Sequence, residues 1–285
     1  MWRAYAQLTK PGVLFGNALS AAAGYLFASQ GNVNVIGFVW LALGTTLIIA
    51  SACVLNNYLD QDIDTKMART KKRAAWIEMV GQRNTVIFAV ALGVLGFATL
   101  IATTNWLVVL IEIIGYVDYV VLYGMWSKRS SVHGTLVGSV SGAAPILAGY
   151  VGASGELNMG AALTFLALFV WQMPEFYAIS IYRQKEYAAA GVPVISVVRG
   201  IPRTIREIFA YTLLFVLFTL LLGVLGYGGI IYSVGMGIVG AYWLTLAVQG
   251  FSTKNHDAWA RKMFKFSINA LLIFCGLISV NGWLV

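Results

Sequence analysis

Nine stretches of mostly apolar residues run one after another through this chain, and every Lys and Arg falls either before the first of them or in alternate gaps between them. The stretches are 11–29, 35–58, 85–103, 106–126, 132–151, 159–182, 208–225, 229–249 and 266–284. Roughly 20 apolar residues suffice for a helix to cross about 30 Å of hydrocarbon. Inside lipid a backbone must satisfy its own hydrogen bonds, so an all-α bundle of nine transmembrane helices is expected. The gaps near Gly31, Asn105, Ser154 and Tyr227 contain no Lys or Arg, while the N-terminus and the other gaps contain all 19. The positive-inside rule then places the N-terminus and the four basic loops in the cytoplasm, and the C-terminus outside. One membrane domain over 1–285 is expected, in the cell (inner) membrane.

The net charge of +8 would suit nucleic acid on a soluble fold, but here the cations are confined to short loops between spans. Nucleic acid is therefore excluded as a partner and the lipid bilayer takes its place. Cys53 and Cys275 both lie in apolar spans, with no Cys-x-x-Cys or Cys/His group, so neither a disulfide nor a zinc site is expected. Residues 1–23 have the outline of a secretory signal, yet the apolar run continues to Ala28, which suits a retained first helix. Two cytoplasmic loops are long, 60–84 and 183–207; residues 257–265 read as an interfacial helix with Trp259 and three cations. Gly134, Gly138 and Gly142, four apart, imply close helix packing.

The chemistry concentrates where the second span meets its loop. Asn56, Asn57, Asp60 and Asp64 are three or four residues apart, which aligns their side chains on one helical face. Such oxygens suit Mg²⁺, which takes one or two carboxylates and completes its shell with water and substrate phosphates. Lys66, Arg69, Lys71, Lys72 and Arg73 follow at once, so acids and bases together suit a metal-bound diphosphate ester. Asp62 points off that face. A second cluster begins inside the sixth span with Gln172 and Glu175 beside Pro174, and continues with Tyr182, Arg183, Lys185 and Glu186. Glu186 is a candidate for completing the metal site, with Arg183 and Lys185 on phosphate oxygens. The two helix–loop units hint at a repeat facing across one cavity. Further candidates are Lys10 and Asn17 near the first helix, Tyr123, Lys128 and Arg129 at the end of the fourth, and the intramembrane acids Glu112 and Asp118. Tyr58, Trp126, Trp171, Tyr177 and Tyr182 are candidates for shielding a carbocation.

Asn56-Asn57-Tyr58-Leu59-Asp60-Gln61-Asp62-Ile63-Asp64, with Arg69-Thr70 and Arg73 after it, resembles the first aspartate-rich motif of the intramembrane UbiA-type prenyltransferases. Thr9-Lys10-Pro11-Gly12, the stretch 130–145, Trp171-Gln172-Met173-Pro174 and Trp259-Ala260-Arg261-Lys262 are similar to the haem-farnesylating branch. The resemblance implies that the nine helices surround a central cavity. It implies Mg²⁺-dependent transfer of a farnesyl group from farnesyl diphosphate to the 2-vinyl of haem B, upstream of a haem A synthase or terminal oxidase. It implies that Asn57, Asp60 and Asp64, with Lys185 and Glu186, carry the catalytic metal-diphosphate site. Arg69, Arg73, Lys128, Arg129 and Arg183 would neutralise the leaving group. Lys10, Asn17, Tyr123, Gln172, Glu175 and Tyr182 would line the acceptor pocket. Where the haem branch usually has His after Trp-Gln-Met-Pro, this chain has Glu175. A quinone precursor or other aromatic acceptor is the alternative substrate, and a transporter is the alternative class.

Overall fold

A computed structural model describes residues 1–67 and 70–284, so the expected ligand Arg69 lies outside the described residues. The described residues form helices joined by turns and short irregular connections, with no strand among them. In chain order the elements are α1 Trp2–Leu8, α2 Pro11–Ser29, α3 Val35–Leu59, α4 Gln61–Asp64, α5 Lys71–Val80 and α6 Gln82–Thr103. Then α7 Trp106–Val117 runs into a π-helix, Asp118–Ser127, and a final turn α8 Lys128–Ser130. The rest are α9 Gly134–Ser154, α10 Met159–Tyr182, α11 Gln184–Ala189, α12 Ile195–Val198, α13 Gly200–Val224, α14 Ile230–Gln249 and α15 His256–Asn281. Among the described residues nine helices are long and apolar enough to cross a membrane, the fourth being the composite Trp106–Ser130.

Several boundaries differ from those the hydropathy suggests. The seventh span starts at Gly200 rather than 208, because its first turns are helical although charged. Arg203 and Glu207 pair at 2.6 Å one turn apart there, and Pro202 sits in the first turn, where a missing N–H costs little. The segment 257–265 is not a separate interfacial helix. Asn255 caps it, accepting from the Ala258 N–H at 3.0 Å, and the helix continues unbroken into the ninth span, which ends at Asn281. The loop 60–84 contains α4 and α5, and α5 packs with the unexpected α1 through Leu8, Ala4, Ile77 and Val80.

Glycines set the closest approaches. A Cβ at Gly24 or Gly149 would collide with backbone carbonyl oxygens, of Ile146 and Ala21 respectively, so α2 and α9 touch main chain to main chain. Helix α10 is the most enclosed of the nine spans and α6 the least. Large apolar side chains such as Val94, Ile101, Val224 and Ile230 point outward, as a lipid-facing surface requires.

Candidate active site

The helix that carries the aspartates breaks where the chemistry begins. Asp60 ends α3 and starts α4, with φ −89° and ψ 5°, yet the Asp64 N–H still reaches the Asp60 carbonyl at 2.8 Å. Asp60 and Asp64 therefore stay in register across the join, and both are buried, as are Asn56 and Asn57. Asp62 turns outward, is 59% exposed, and takes both Arg129 nitrogens at 2.8 Å. That pairing holds its carboxyl down to about 2.

Lys128 forms an ion pair with Asp60, and Arg129 stands 3.8 Å from its other oxygen. Arg73 lies 3.8 Å from Asp64, whose carboxyl is pushed up by burial with Arg73 opposing. Asn57 donates to the Leu8 carbonyl at 2.8 Å, tying α1 to the cluster. Lys10 reaches Asn56 Oδ1 at 2.5 Å and the Tyr119 hydroxyl at 3.5 Å. It sits at φ +54°, a left-handed backbone that a lysine adopts only when its surroundings demand it. Burial pulls its ammonium down to about 8, with Arg73 and Lys128 pushing the same way and Asp60 opposing.

Among the described residues, buried atoms without a hydrogen-bond partner gather at this place: Asn57 Oδ1, Asp60 Oδ1 and Asp64 Oδ2, with Asn56 Nδ2 and Ser127 Oγ beside them. Leaving such an atom unpaired costs on the order of 1–3 kcal/mol, and a cluster of them calls for a ligand. The three oxygens are hard donors of the kind Mg²⁺ accepts, and so is the unpartnered Glu186 Oε2. Among the described residues no three His, Cys, Asp or Glu side chains lie together as a group that could hold a metal ion by themselves.

The second loop folds against the first. Ile63 and Met67 pack with Ala190, Val192 and Tyr187, so the two polar units meet as their sequences hint. Arg183 pairs with Glu186 at 2.8 Å and lies over the Tyr182 ring at 5.5 Å. Arg261, from α15, lies over the same ring at 4.5 Å. Lys185 is exposed. Glu175 is half-buried and has no hydrogen-bond or ion-pair partner among the described residues.

Some residues expected in the acceptor pocket are engaged elsewhere. Gln172 donates to the Ser139 and Leu168 carbonyls, and its amide fills the space where Gly142 lacks a side chain. Asn17 donates to Val13 of its own helix at 2.8 Å. Lys10 joins the aspartate cluster instead. Trp126 is 60% exposed, and the Trp171 indole is held by the Ser267 carbonyl. Tyr119 and Tyr123 stack at 5.8 Å beside the cluster, with Lys128 5.8 Å above the Tyr123 ring. Nothing in the sequence marks Tyr119, since one tyrosine among 14 in apolar helices looks like packing. Glu112 accepts from Thr45 at 2.8 Å and Asp118 from the Ser141 N–H at 3.0 Å, so both intramembrane acids are bonded within the bundle.

With that geometry in view, the comparisons are consistent. The model of the UbiA prenyltransferase family matches residues 17–269. The chain is 42% identical over 281 residues to proteins named protoheme IX farnesyltransferase. In Klebsiella pneumoniae subsp. pneumoniae the match covers 99% of this chain and 95% of that protein. In Photorhabdus laumondii subsp. laumondii it covers 99% and 96%. Among solved structures, a digeranylgeranylglyceryl phosphate synthase superposes with a TM-score of 0.84 at 17% identity, covering 100% of this chain and 99% of that one. A UbiA homologue from Archaeoglobus fulgidus bound to GPP and Mg²⁺ gives 0.72 at 16%, covering 97% and 100%.

Proposed function

The chain belongs to the UbiA prenyltransferase family, and on that premise we propose that it moves a farnesyl group from farnesyl diphosphate to the 2-vinyl group of haem B, making haem O. The observation that carries the donor half is the group of buried, unpartnered oxygens on Asn57, Asp60 and Asp64, ringed by Lys10, Arg73 and Lys128. The acceptor half rests on the full-length relatives of that name.

Asn57, Asp60 and Asp64 would hold Mg²⁺, with Glu186 contributing from the second loop. When bound, the ion supplies positive charge that offsets the diphosphate. Lys128 and Arg73 sit where they can bind its oxygens, and Lys10 adds a cation with no carboxylate of its own. These fixed charges favour the state in which the C1–O bond has broken and diphosphate carries the electron pair away. The Tyr119–Tyr123 stack presents π faces to the allylic cation left behind. That cation adds to the vinyl group, and water supplies the hydroxyl of the hydroxyethylfarnesyl product with loss of a proton. Arg129, spent on Asp62, acts at one remove by anchoring α8 to the aspartate segment.

The charge alternation supports a multi-pass protein of the inner membrane with both polar loops on the cytoplasmic side. A single domain would carry the whole reaction, and its product would pass to a haem A synthase or terminal oxidase. The test uses purified protein in detergent with Mg²⁺, farnesyl diphosphate and haem B, products being separated by chromatography and weighed. A more hydrophobic haem with the hydroxyethylfarnesyl mass is expected. A quinone precursor is the second acceptor to try, because Glu175, which has no partner among the described residues, stands where the haem branch usually has His. Prenylation of that acceptor and not of haem would overturn the haem reading.

A further inference from the structure

We infer that Asp118, an acid the reaction does not use, is a positioning residue for the diphosphate side of the site, acting through the π-helix that it begins. Helix α9 offers three seats on one face: the Ser141 N–H, Gly138 and Gly134. The π segment and its end fill them with residues five apart. Asp118 Oδ2 accepts from Ser141 at 3.0 Å. The Tyr123 ring lies so close to Gly138 that a Cβ there would stand 2.8 Å from it. The Lys128 backbone lies against Gly134, where a Cβ would stand 3.2 Å from its Cα.

Spacing by five is the point. In an α-helix five residues overshoot a turn of 3.6 by more than a third of a turn, so 118, 123 and 128 would face different ways. The wider π turn, bonded i to i+5, brings them back to one face. A lipid-buried π-helix of ten residues needs something to hold it, since such segments are usually a single turn. Asp118 is the hydrogen-bonded end of the lock, and Gly115 one turn earlier lets α7 come close enough for it: a Cβ there would meet Ala144 at 2.8 Å. In this register Tyr119 is aimed at Asn56 and Lys10, and Lys128 pairs with Asp60. Were Asp118 to lose its bond, the segment would be free to return to α-helical winding and carry Tyr119, Tyr123 and Lys128 off the cluster.

The inference rests on the proposed donor site, so its test reads binding and needs no acceptor. Calorimetry would measure farnesyl diphosphate binding to the full chain in detergent with Mg²⁺. Asp118→Ala is expected to weaken binding about tenfold, the size of one lost buried hydrogen bond, while Asp118→Asn, which keeps an acceptor oxygen, stays within about twofold. Gly138→Ala breaks no hydrogen bond but displaces Tyr123, and is also expected to weaken binding by about tenfold or less. Glu112→Ala is the control: it loses a buried bond to Thr45 in the α-helical part of the same span, and binding is expected to stay within about twofold. If Asp118→Ala fails to fold, Gly138→Ala decides alone. Unchanged binding in Gly138→Ala, equal weakening in Glu112→Ala and Asp118→Ala, or Asp118→Asn as weak as Asp118→Ala overturns the lock. A wild-type protein that binds no farnesyl diphosphate overturns the donor reading and this inference together, whereas normal wild-type binding with unaffected variants overturns the inference alone.

Discussion

Lys10 points its ammonium at Asn56 Oδ1, 2.5 Å away, and not at a carboxylate. The nearest acids are committed: Asp60 to Lys128 and Asp64 to Arg73. A half-buried lysine whose charge is unmatched is a site kept for an incoming anion.

That arrangement has a pH signature of two opposite signs. The Lys10 ammonium is down to about 8 from 10.5, so between those values the folded protein binds fewer protons than the unfolded chain. Stability from this group is therefore lowest below about 8 and rises as pH climbs toward 10.5. Affinity for farnesyl diphosphate should move the other way, falling as pH passes through 8 and the cation is lost. Lys10→Met should bind more weakly at pH 7 and lose that pH limb. Titration calorimetry from pH 7 to 9 checks it; an identical pH profile in the variant would refute the role.

The three aspartates should separate by magnitude. Asp60→Asn and Asp64→Asn each remove a buried charge facing the diphosphate, and turnover should fall by roughly a hundredfold or more. Asp62→Asn disturbs an exposed pair, and turnover should change by less than about tenfold. Steady-state rates on folded, monodisperse protein make the comparison, and equal losses in all three would contradict the geometry.

Glu186 should fall between these extremes. One of its oxygens is already engaged by Arg183 and the other is buried and free. Glu186→Gln should therefore cost about tenfold in turnover, with a raised Mg²⁺ requirement. A Mg²⁺ titration of initial rates provides the readout, and an unchanged half-saturation point would place Glu186 outside the metal shell.

Packing of the first and fifth spans is the structural counterpart. Gly149→Ala drives a methyl group into the Ala21 carbonyl, a backbone atom that cannot swing away. The cost should be about 1–3 kcal/mol or more, seen as a lower thermal midpoint in detergent. Gly276→Ala, in open space on α15, should leave the midpoint unmoved.

Hydropathy along the chain was enough to mark the nine helices that, among the described residues, are long and apolar enough to cross a membrane, because entry into lipid depends on length and local composition. The aspartate cluster was legible for a similar reason: three- and four-residue spacing is a local property, and it survived even the helix break at Asp60. The starts of α13 and α15 were not, since charged turns beyond the hydrocarbon remain helical when an i,i+4 ion pair, as in α13, or a capping side chain, as in α15, supports them. Partnerships lay still further out of reach. Lys10 meets Asn56 across 46 residues, Asp60 meets Lys128 across 68, and Gln172 meets Ser139 across 33. The π-helix, which sets where Tyr119 and Lys128 face, is marked by no run of residues. The sequence by itself determined which stretches enter the membrane and which oxygens line up at its edge. Tertiary structure alone decided which cation each oxygen receives, because that depends on which helices lie side by side, and helix packing is written in distant glycines rather than in any local period.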